Sequence, residues 1–174
     1  MITMDFKELD NIVLVIGKTE GHIDQSLFAR NILDEKNGPP PEINLFNEKN
    51  NGETLLKLID VGLIKSAHDV SVGGIITAVS KMCIKGNKGI NLKKPKYLIN
   101  EIEYYLAEDQ GRYIIEVSKN SLKKVTDILG KNAVHFDELG TINEDQLFIN
   151  EKTKVSIDVL RASNTSWLIN YMSK

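Results

Sequence analysis

The fold of this chain is decided by the stretch SAHDVSVGGIITAVSKMCI, residues 66–84. An acid, a hydroxyl group and two adjacent glycines come directly before an apolar run. In that run the apolar residues recur at the spacing of one helix face: Ile75, Ile76, Val79, Met82 and Cys83. The stretch therefore predicts a short extended segment and then a helix over 73–84, with Gly86 as its C-cap.

The polar residues before this helix suggest a site for phosphate and magnesium. A helix start exposes unpaired backbone N–H groups and the positive end of the helix dipole, and glycines let an anion approach them. Asp69 is the candidate Mg²⁺ ligand, and Ser71, Gly73 and Gly74 are the candidate phosphate contacts. The spacing alone favours a plainer interpretation, in which the polar residues cap the helix and the glycines relieve crowding. His68 is expected to be a hydrogen-bonded structural histidine.

The rest of the chain mixes strands and helices without strict alternation, which predicts an α+β fold. We expect a mainly antiparallel or mixed sheet with helices packed on one face, in a single domain over 1–174. Strands are predicted over 11–17, 88–92, 111–118, 134–142, 146–150 and 154–159. Helices are predicted over 25–33, 44–64, 97–109 and 119–131, with a short amphipathic turn or two over 163–172. Residues 1–10 are expected to be a linker or an N-terminal segment that does not belong to the domain.

The composition narrows the class of protein. The 174 residues are 41% hydrophobic and carry a formal net charge of -2, which is typical of one globular domain and argues against a nucleic-acid-binding module. Cys83 is the single cysteine, so no internal disulfide or cysteine-based zinc site is expected. No apolar run is long enough to span a membrane. We therefore expect a soluble cytoplasmic protein.

A second group of polar residues lies in LAEDQGRYIIEV, residues 106–117. Glu108, Asp109, Gln110 and Arg112 crowd together immediately before a buried strand. They are consistent with a turn of solvated charges, or with an arginine that binds phosphate and acids that orient it. The sequence leaves both open.

In this order, the motifs resemble those of phosphoribosylformylglycinamidine synthase, the amidotransferase of purine synthesis. HDVSVGG (68–74) resembles the family's HDVSDGG helix start, and LAEDQGR (106–112) its F-x-E-x-Q-[GS]-R segment. LVIGKTEGHIDQS (14–26), PPPEINL (39–45) and VHFDELGTI (134–142) lie where the family has similar motifs. The chain departs from the family's motifs in two places. HIDQS replaces a glycine-containing pattern, and Val72 replaces the usual acid.

The resemblance implies that the chain is the last domain of a longer ATP-dependent carbon–nitrogen ligase. That enzyme converts formylglycinamide ribonucleotide to formylglycinamidine ribonucleotide with ATP and glutamine. By position, Asp69 matches a magnesium ligand, and Ser71 a contact to a bound ATP or ADP. The family's catalytic histidine lies in the first half of the enzyme, so no catalytic residue is assigned here. The implied partners are the upstream domains and a glutaminase, and the isolated chain is expected to be inactive.

Two alternatives remain open. The chain resembles, more weakly, the C-terminal domains of aminoimidazole ribonucleotide synthetase, selenophosphate synthetase and thiamine monophosphate kinase. It also fits a stand-alone interaction module without catalysis. The HDVS and EDQGR pair favours the synthase.

Overall fold

The computed structural model describes residues 1–93, 100–150 and 152–173. The strands are β1 (Ile12–Ile16), β2 (Ser66–Val70), β3 (Gly89–Leu92), β4 (Arg112–Val117), β5 (Phe136–Asn143), β6 (Gln146–Ile149) and β7 (Thr153–Ser156). The α-helices are α1 (Leu45–Asp60), α2 (Gly74–Gly86), α3 (Glu101–Leu106), α4 (Leu122–Lys131) and α5 (Ile157–Met172). A π-helical turn spans Ala29–Leu33.

The seven strands form one sheet in the order β2-β4-β1-β5-β3-β6-β7. The neighbouring strands are antiparallel, except that β3 and β6 are parallel. This confirms the predicted α+β class and the mainly antiparallel sheet. Strand β1 lies inside the sheet between β4 and β5, which explains why its sequence IVLVI is apolar at every position.

Helices cover both faces of the sheet, so the expectation that they pack on one face is wrong. Val13 and Val15 of β1 point into a core that contains residues of α2, α3 and α5. Ile12, Leu14 and Ile16 point into a second core with residues of α1 and α4. Since side chains alternate along a strand, an unbroken apolar strand requires an apolar layer on each side.

The first ten residues pack against the domain, which differs from the expected linker. Phe6 is 1% exposed within the first core, and its N–H donates to Met82 O at 3.4 Å. Gly86 leaves room for it, because a Cβ at that position would lie 2.4 Å from Phe6 O. The N–H groups of Lys7 and Glu8 both donate to the buried carboxylate of Glu116, at 2.8 and 3.0 Å.

Several helix ends differ from the predictions. Helix α1 ends at Asp60 and α3 at Leu106, before the predicted ends at 64 and 109. The C-cap of α2 is Asn87, with φ 50°, so Gly86 is instead the last helical residue. Ser156 caps the N-terminus of α5, and residues 157–159, predicted as strand, form its first turn. Asn100 caps α3, and the predicted helical residues 97–99 lie outside the described residues.

The C-terminal helix is longer and more exposed than the predicted amphipathic turns. Ile157 is buried, whereas residues 162–173 are exposed on all sides. Trp167 and Tyr171 stack on each other with ring centroids 5.4 Å apart. Among the described helices, α5 included, none combines the length and apolar content that a bilayer crossing requires.

Candidate functional site

The two sequence motifs meet at one end of the sheet because of strand direction. β4 runs antiparallel to both β1 and β2, with Ile16 opposite Tyr113 and Val70 opposite Arg112. The loops that follow β1 and β2 therefore meet the turn that precedes β4. The 66–74 and 106–112 stretches, separate in sequence, form a single loop cluster.

An open cleft of about 1140 Å³ lies on one side of this cluster. Five segments line it: the loop after β1, the proline connector 39–41, the first turns of α1, the turn before β4, and the residues just before β5. Asn51 of α1 joins two of these walls, because its Nδ2 donates to Gly111 O at 2.9 Å. Gly17 must lack a side chain here, since a Cβ would lie 2.7 Å from Gly111 O, and its φ is 91°. The predicted phosphate corner lies beside this cleft and contributes no lining residue to it.

Contacts within the chain explain why two glycines stand at the start of α2. A Cβ on Gly74 would lie 2.6 Å from Ala107 O, so the glycine lets the helix approach the segment before β4. The Gly74 N–H donates to Ser71 O at 3.0 Å. The Gly73 N–H donates to the Glu108 carboxylate at 2.9 Å. Both amides predicted to bind phosphate therefore have partners within the chain.

Asp69 lies on the other face of the sheet from α2. It pairs in register with Tyr113, whose side chain packs against the α1 and α4 core. Burial raises the pKa of Tyr113, and the charges of Glu48 and Asp69 add to the shift. The Asp69 side chain is 63% exposed and lies 3.0 Å from His68 Nδ1. The His68 side chain is 10% exposed; its Nδ1 is hydrogen-bonded to Asp69, whereas its buried Nε2 has no hydrogen-bond partner among the described residues.

Asp69 remains available to a cation as a single exposed carboxylate. In the described part of the chain, no three His, Cys, Asp or Glu side chains cluster as a metal site would require. Mg²⁺ in nucleotide sites is often held by one or two carboxylates with phosphate oxygens and waters. One carboxylate therefore fits a magnesium–nucleotide complex in which phosphate oxygens and waters supply the other ligands.

Arg112 is a buried structural residue, which resolves the second polar motif. Its side chain is fully buried, and its nitrogens donate to Asp109 O at 3.1 Å, Thr19 Oγ1 at 3.0 Å and Ala107 O at 2.7 Å. Burial lowers the pKa of Arg112, and the nearby Asp109 acts in the opposite direction. A guanidinium committed to these contacts holds the loops together and is not presented to a ligand.

The Asp109 carboxylate binds the backbone of the loop after β1. It accepts hydrogen bonds from the N–H groups of Glu20, Gly21 and His22 at 3.0, 3.1 and 3.1 Å. This loop contains the changed HIDQS segment, so its backbone donors are directed at a carboxylate of the same chain. In the sequence, the acids that crowd before a buried strand indicated that this turn was unusual. The sequence could not show which backbone groups these acids bind.

Sequence reasoning missed one polar pair at the cleft. His135 lines the cleft, and its Nε2 lies 3.2 Å from Asp137 Oδ2 at the start of β5. The backbone carbonyl oxygen of His135 accepts a hydrogen bond from the Gly17 N–H at 2.8 Å. His135 lies directly before β5 and Asp137 is the second residue of that strand; a spacing of two in an extended chain places both side chains on one face, which is the signal that could have found the pair.

Comparisons with known proteins place these features in a family context. The family described as "AIR synthase related protein, C-terminal domain" matches residues 10–150. The chain is 73% identical to phosphoribosylformylglycinamidine synthase subunit PurL of Pelagibacter ubique over 172 residues. That match covers 99% of this chain and 24% of the relative, so the chain spans about a quarter of the relative's length.

Two solved structures share the fold at low sequence identity. PurL of Thermotoga maritima, complexed with FGAR, has a TM-score of 0.74 and 20% identity, covering 92% of this chain and 29% of that protein. HypE of Escherichia coli, a hydrogenase maturation protein, has a TM-score of 0.62 and 16% identity. The match covers 91% of this chain and 52% of that protein. At these identities the likeness shows the fold alone.

Proposed function

Because the chain belongs to the family of AIR synthase related protein C-terminal domains, we propose that it serves as a domain of a phosphoribosylformylglycinamidine synthase. The single observation that carries this proposal is the 73% identity to a PurL subunit across almost the whole chain. The reaction proposed for the complete enzyme is the ATP-dependent conversion of formylglycinamide ribonucleotide to formylglycinamidine ribonucleotide. The glutaminase and the remaining synthase domains are the proposed partners.

Within that enzyme, the loop cluster at the end of the sheet is proposed to form one wall of a nucleotide cleft. Asp69 would hold a magnesium ion through its exposed carboxylate, and Ser71 would contact the nucleotide from the loop before α2. The bound metal would neutralise phosphate charge. The buried Arg112 and Asp109 contacts would keep this wall in place without touching the ligand.

The described residues favour a supporting role for this domain over a catalytic one. Arg112 is buried, and Cys83, the one thiol, is buried with its pKa raised to about 12 by desolvation. Such a thiol is a poor nucleophile at neutral pH. We therefore propose that the 174-residue chain alone does not turn over ATP with substrate and ammonia.

The test uses the complete polypeptide that carries this sequence, purified from its source cells. We expect it to form formylglycinamidine ribonucleotide from formylglycinamide ribonucleotide, ATP and ammonia, with product measured by mass spectrometry. A folded, ATP-binding polypeptide that forms no product would overturn the proposal. In the same protein, Asp69→Asn should reduce the nucleotide that co-purifies. Unchanged nucleotide content would make Asp69 a surface residue only.

A further inference from the structure

We propose that residues 162–172, the exposed part of α5, form a docking helix that lies in an apolar groove on the remaining part of the synthase polypeptide. The proposed function supplies the identity of this partner. The docking surface itself follows from the residues of this chain.

Helix α5 is attached to the domain through its first turns. Ile157 is buried, and Leu160 packs against the core beneath α2. Arg161 Nη2 donates to Oδ1 of Asn87, the C-cap of α2, at 2.6 Å. Beyond this point residues 162–172 are all exposed, and they extend the helix by roughly 16 Å at the usual rise per residue. The tail of α5 therefore projects from the domain.

The projecting tail is apolar over more than half of its circumference. At about 100° per residue, an arc of roughly 200° holds five large apolar side chains: Trp167, Tyr171, Leu168, Met172 and Ile169. Ser166 and Asn170 lie on the opposite side. A helix stripe that faces a single neighbour is about 100° wide. The wider arc of this tail therefore fits a groove that contacts it on two sides.

The exposed apolar area is large enough for a stable interface. The five side chains of the arc are 57–75% exposed. At about 150–250 Å² for a large side chain, they leave roughly 500–800 Å² uncovered. The largest apolar patch of a typical monomer is about 300–600 Å², and a standard interface buries about 800 Å² on each partner. The tail alone thus supplies most of one side of an interface.

The sequence of the tail also indicates that its helix depends on a partner. Residues 163–166 are Ser, Asn, Thr and Ser, four weak helix formers in succession. Short helices obtain most of their stability from packing of an apolar face. Trp167 and Tyr171 stack on each other with ring centroids 5.4 Å apart, and both rings remain exposed. Two adjacent aromatic side chains are typical anchors of an interface.

Two other occupants of the surface fit less well. The α5 tail of a second copy, packed alongside, would cover a stripe of about 100° and leave half of the arc in water. A helix that lies in a membrane surface usually carries a charged face rich in Lys and Arg. Residues 162–173 contain no charged side chain. The observations therefore favour a protein groove.

The extent of the family matches points to the synthase as the partner. The C-terminal domain family matches residues 10–150 and stops before α5. The match to the PurL subunit of Pelagibacter ubique covers 172 residues of this chain and therefore extends into α5. Since the matched segment is 24% of that relative, a longer polypeptide accompanies such a helix. The groove is assigned to the other three quarters, roughly, of that polypeptide.

The first experiment compares hydrogen exchange, followed by mass spectrometry, in the 174-residue chain and in the complete polypeptide that carries this sequence. Peptides within 162–172 should exchange at least about tenfold more slowly in the complete polypeptide, because docking protects the helix from opening. Equal exchange in the two proteins would overturn the proposal. Protection in the 174-residue chain together with a doubled mass by light scattering would overturn it in favour of a second copy. Protection of the complete polypeptide only after addition of phosphatidylglycerol vesicles would overturn it in favour of a membrane.

The second experiment places the same new side chain on the two sides of the helix. In the complete polypeptide, Trp167→Ser should speed exchange of 162–172 at least about tenfold, because it removes an anchor from the groove. Asn170→Ser, on the polar side, is the matched control and should change exchange by less than about twofold. In the 174-residue chain, Trp167→Ser should leave the Tm unchanged, since the stacking partner Tyr171 belongs to the same exposed helix. Equal effects of the two variants, or an equal loss of Tm in both proteins with Trp167→Ser, would overturn the proposal.

Hydrogen exchange separates this proposal from the proposed function. A complete polypeptide that protects 162–172 but forms no formylglycinamidine ribonucleotide would overturn the proposed function and leave the docking helix standing. An active polypeptide in which 162–172 exchange freely would overturn the docking helix alone.

Discussion

The guanidinium of Arg112 lies 3.7 Å from the carboxylate of Asp109, and both side chains are buried in the turn that opens β4. Each also bonds the loop after β1, through Thr19 and through three backbone amides. The pair therefore fixes the geometry of the loop cluster from within. Since one buried charge depends on the other, loss of either should be costly.

Arg112→Met should lower the free energy of unfolding by about 3–5 kcal/mol, because it leaves Asp109 buried without its cation. Urea denaturation followed by circular dichroism measures the loss. The control is Arg161→Met, which breaks the exposed pair with Asp158 and should cost less than about 1 kcal/mol. Equal effects of the two substitutions on the free energy of unfolding would show that the buried pair stabilises the fold no more than the exposed pair does.

Phe6→Ala tests whether the first ten residues are part of the domain. Phe6 is 1% exposed in the core beneath α2, so its truncation should cost about 3–5 kcal/mol of stability. Leu9→Ala, at a residue that is 46% exposed, is the control and should change stability by less than about 1 kcal/mol. A stability unchanged by Phe6→Ala would restore the linker interpretation.

Cys83 should resist thiol reagents in the folded protein. Burial raises the pKa of its thiol to about 12, so at pH 8 the reactive thiolate is rare and also inaccessible. We expect no reaction with Ellman's reagent in native buffer and one equivalent of reaction in denaturant. Rapid labelling of the native protein would mean that α2 opens readily or that the thiol is not buried.

The Asp5–Lys7 contact should give a small, acid-sensitive contribution to stability. The hydrogen bond from Lys7, followed by that from Thr3, lowers the pKa of Asp5 to about 2. A depressed carboxylate pKa stabilises the fold above the unfolded pKa near 3.9, and the effect disappears as the pH falls to about 2. Because the pair is about one-third exposed, Asp5→Asn should cost only about 0.2–1 kcal/mol at pH 7. Urea midpoints at several pH values measure it, and a pH-independent difference would contradict this account.

Local patterns in the sequence predicted the elements that build the site. The apolar run of β1 and the periodic apolar face of α2 were sufficient, because burial imposes those spacings directly. The second helical layer was missed although β1 contained the signal, since a strand apolar at every position has two buried faces.

The partners of the polar residues were beyond sequence reasoning. The helix start at Gly73 and Gly74 was predicted correctly, but Asp69 lies in β2 on the other face of the sheet, and the acceptor of the Gly73 N–H lies 35 residues away. Such a bond depends on how two loops meet after the sheet has formed, and no local spacing encodes it. For the same reason, the sequence left Arg112 open as a phosphate ligand or as part of a turn of solvated charges, and its burial in the structure fits neither.

A domain exchange tests the proposal that this chain is a domain of a phosphoribosylformylglycinamidine synthase. The matching segment of Pelagibacter ubique PurL is replaced by this chain, and kcat/KM is measured for ATP-dependent formation of formylglycinamidine ribonucleotide. We expect the chimera to retain activity within about tenfold of the parent enzyme. A control chimera carries the matching part of Escherichia coli HypE, which shares the fold at 16% identity, and should be inactive. A folded chimera with this chain that forms no product, or equal activity of the HypE control, would contradict the claim.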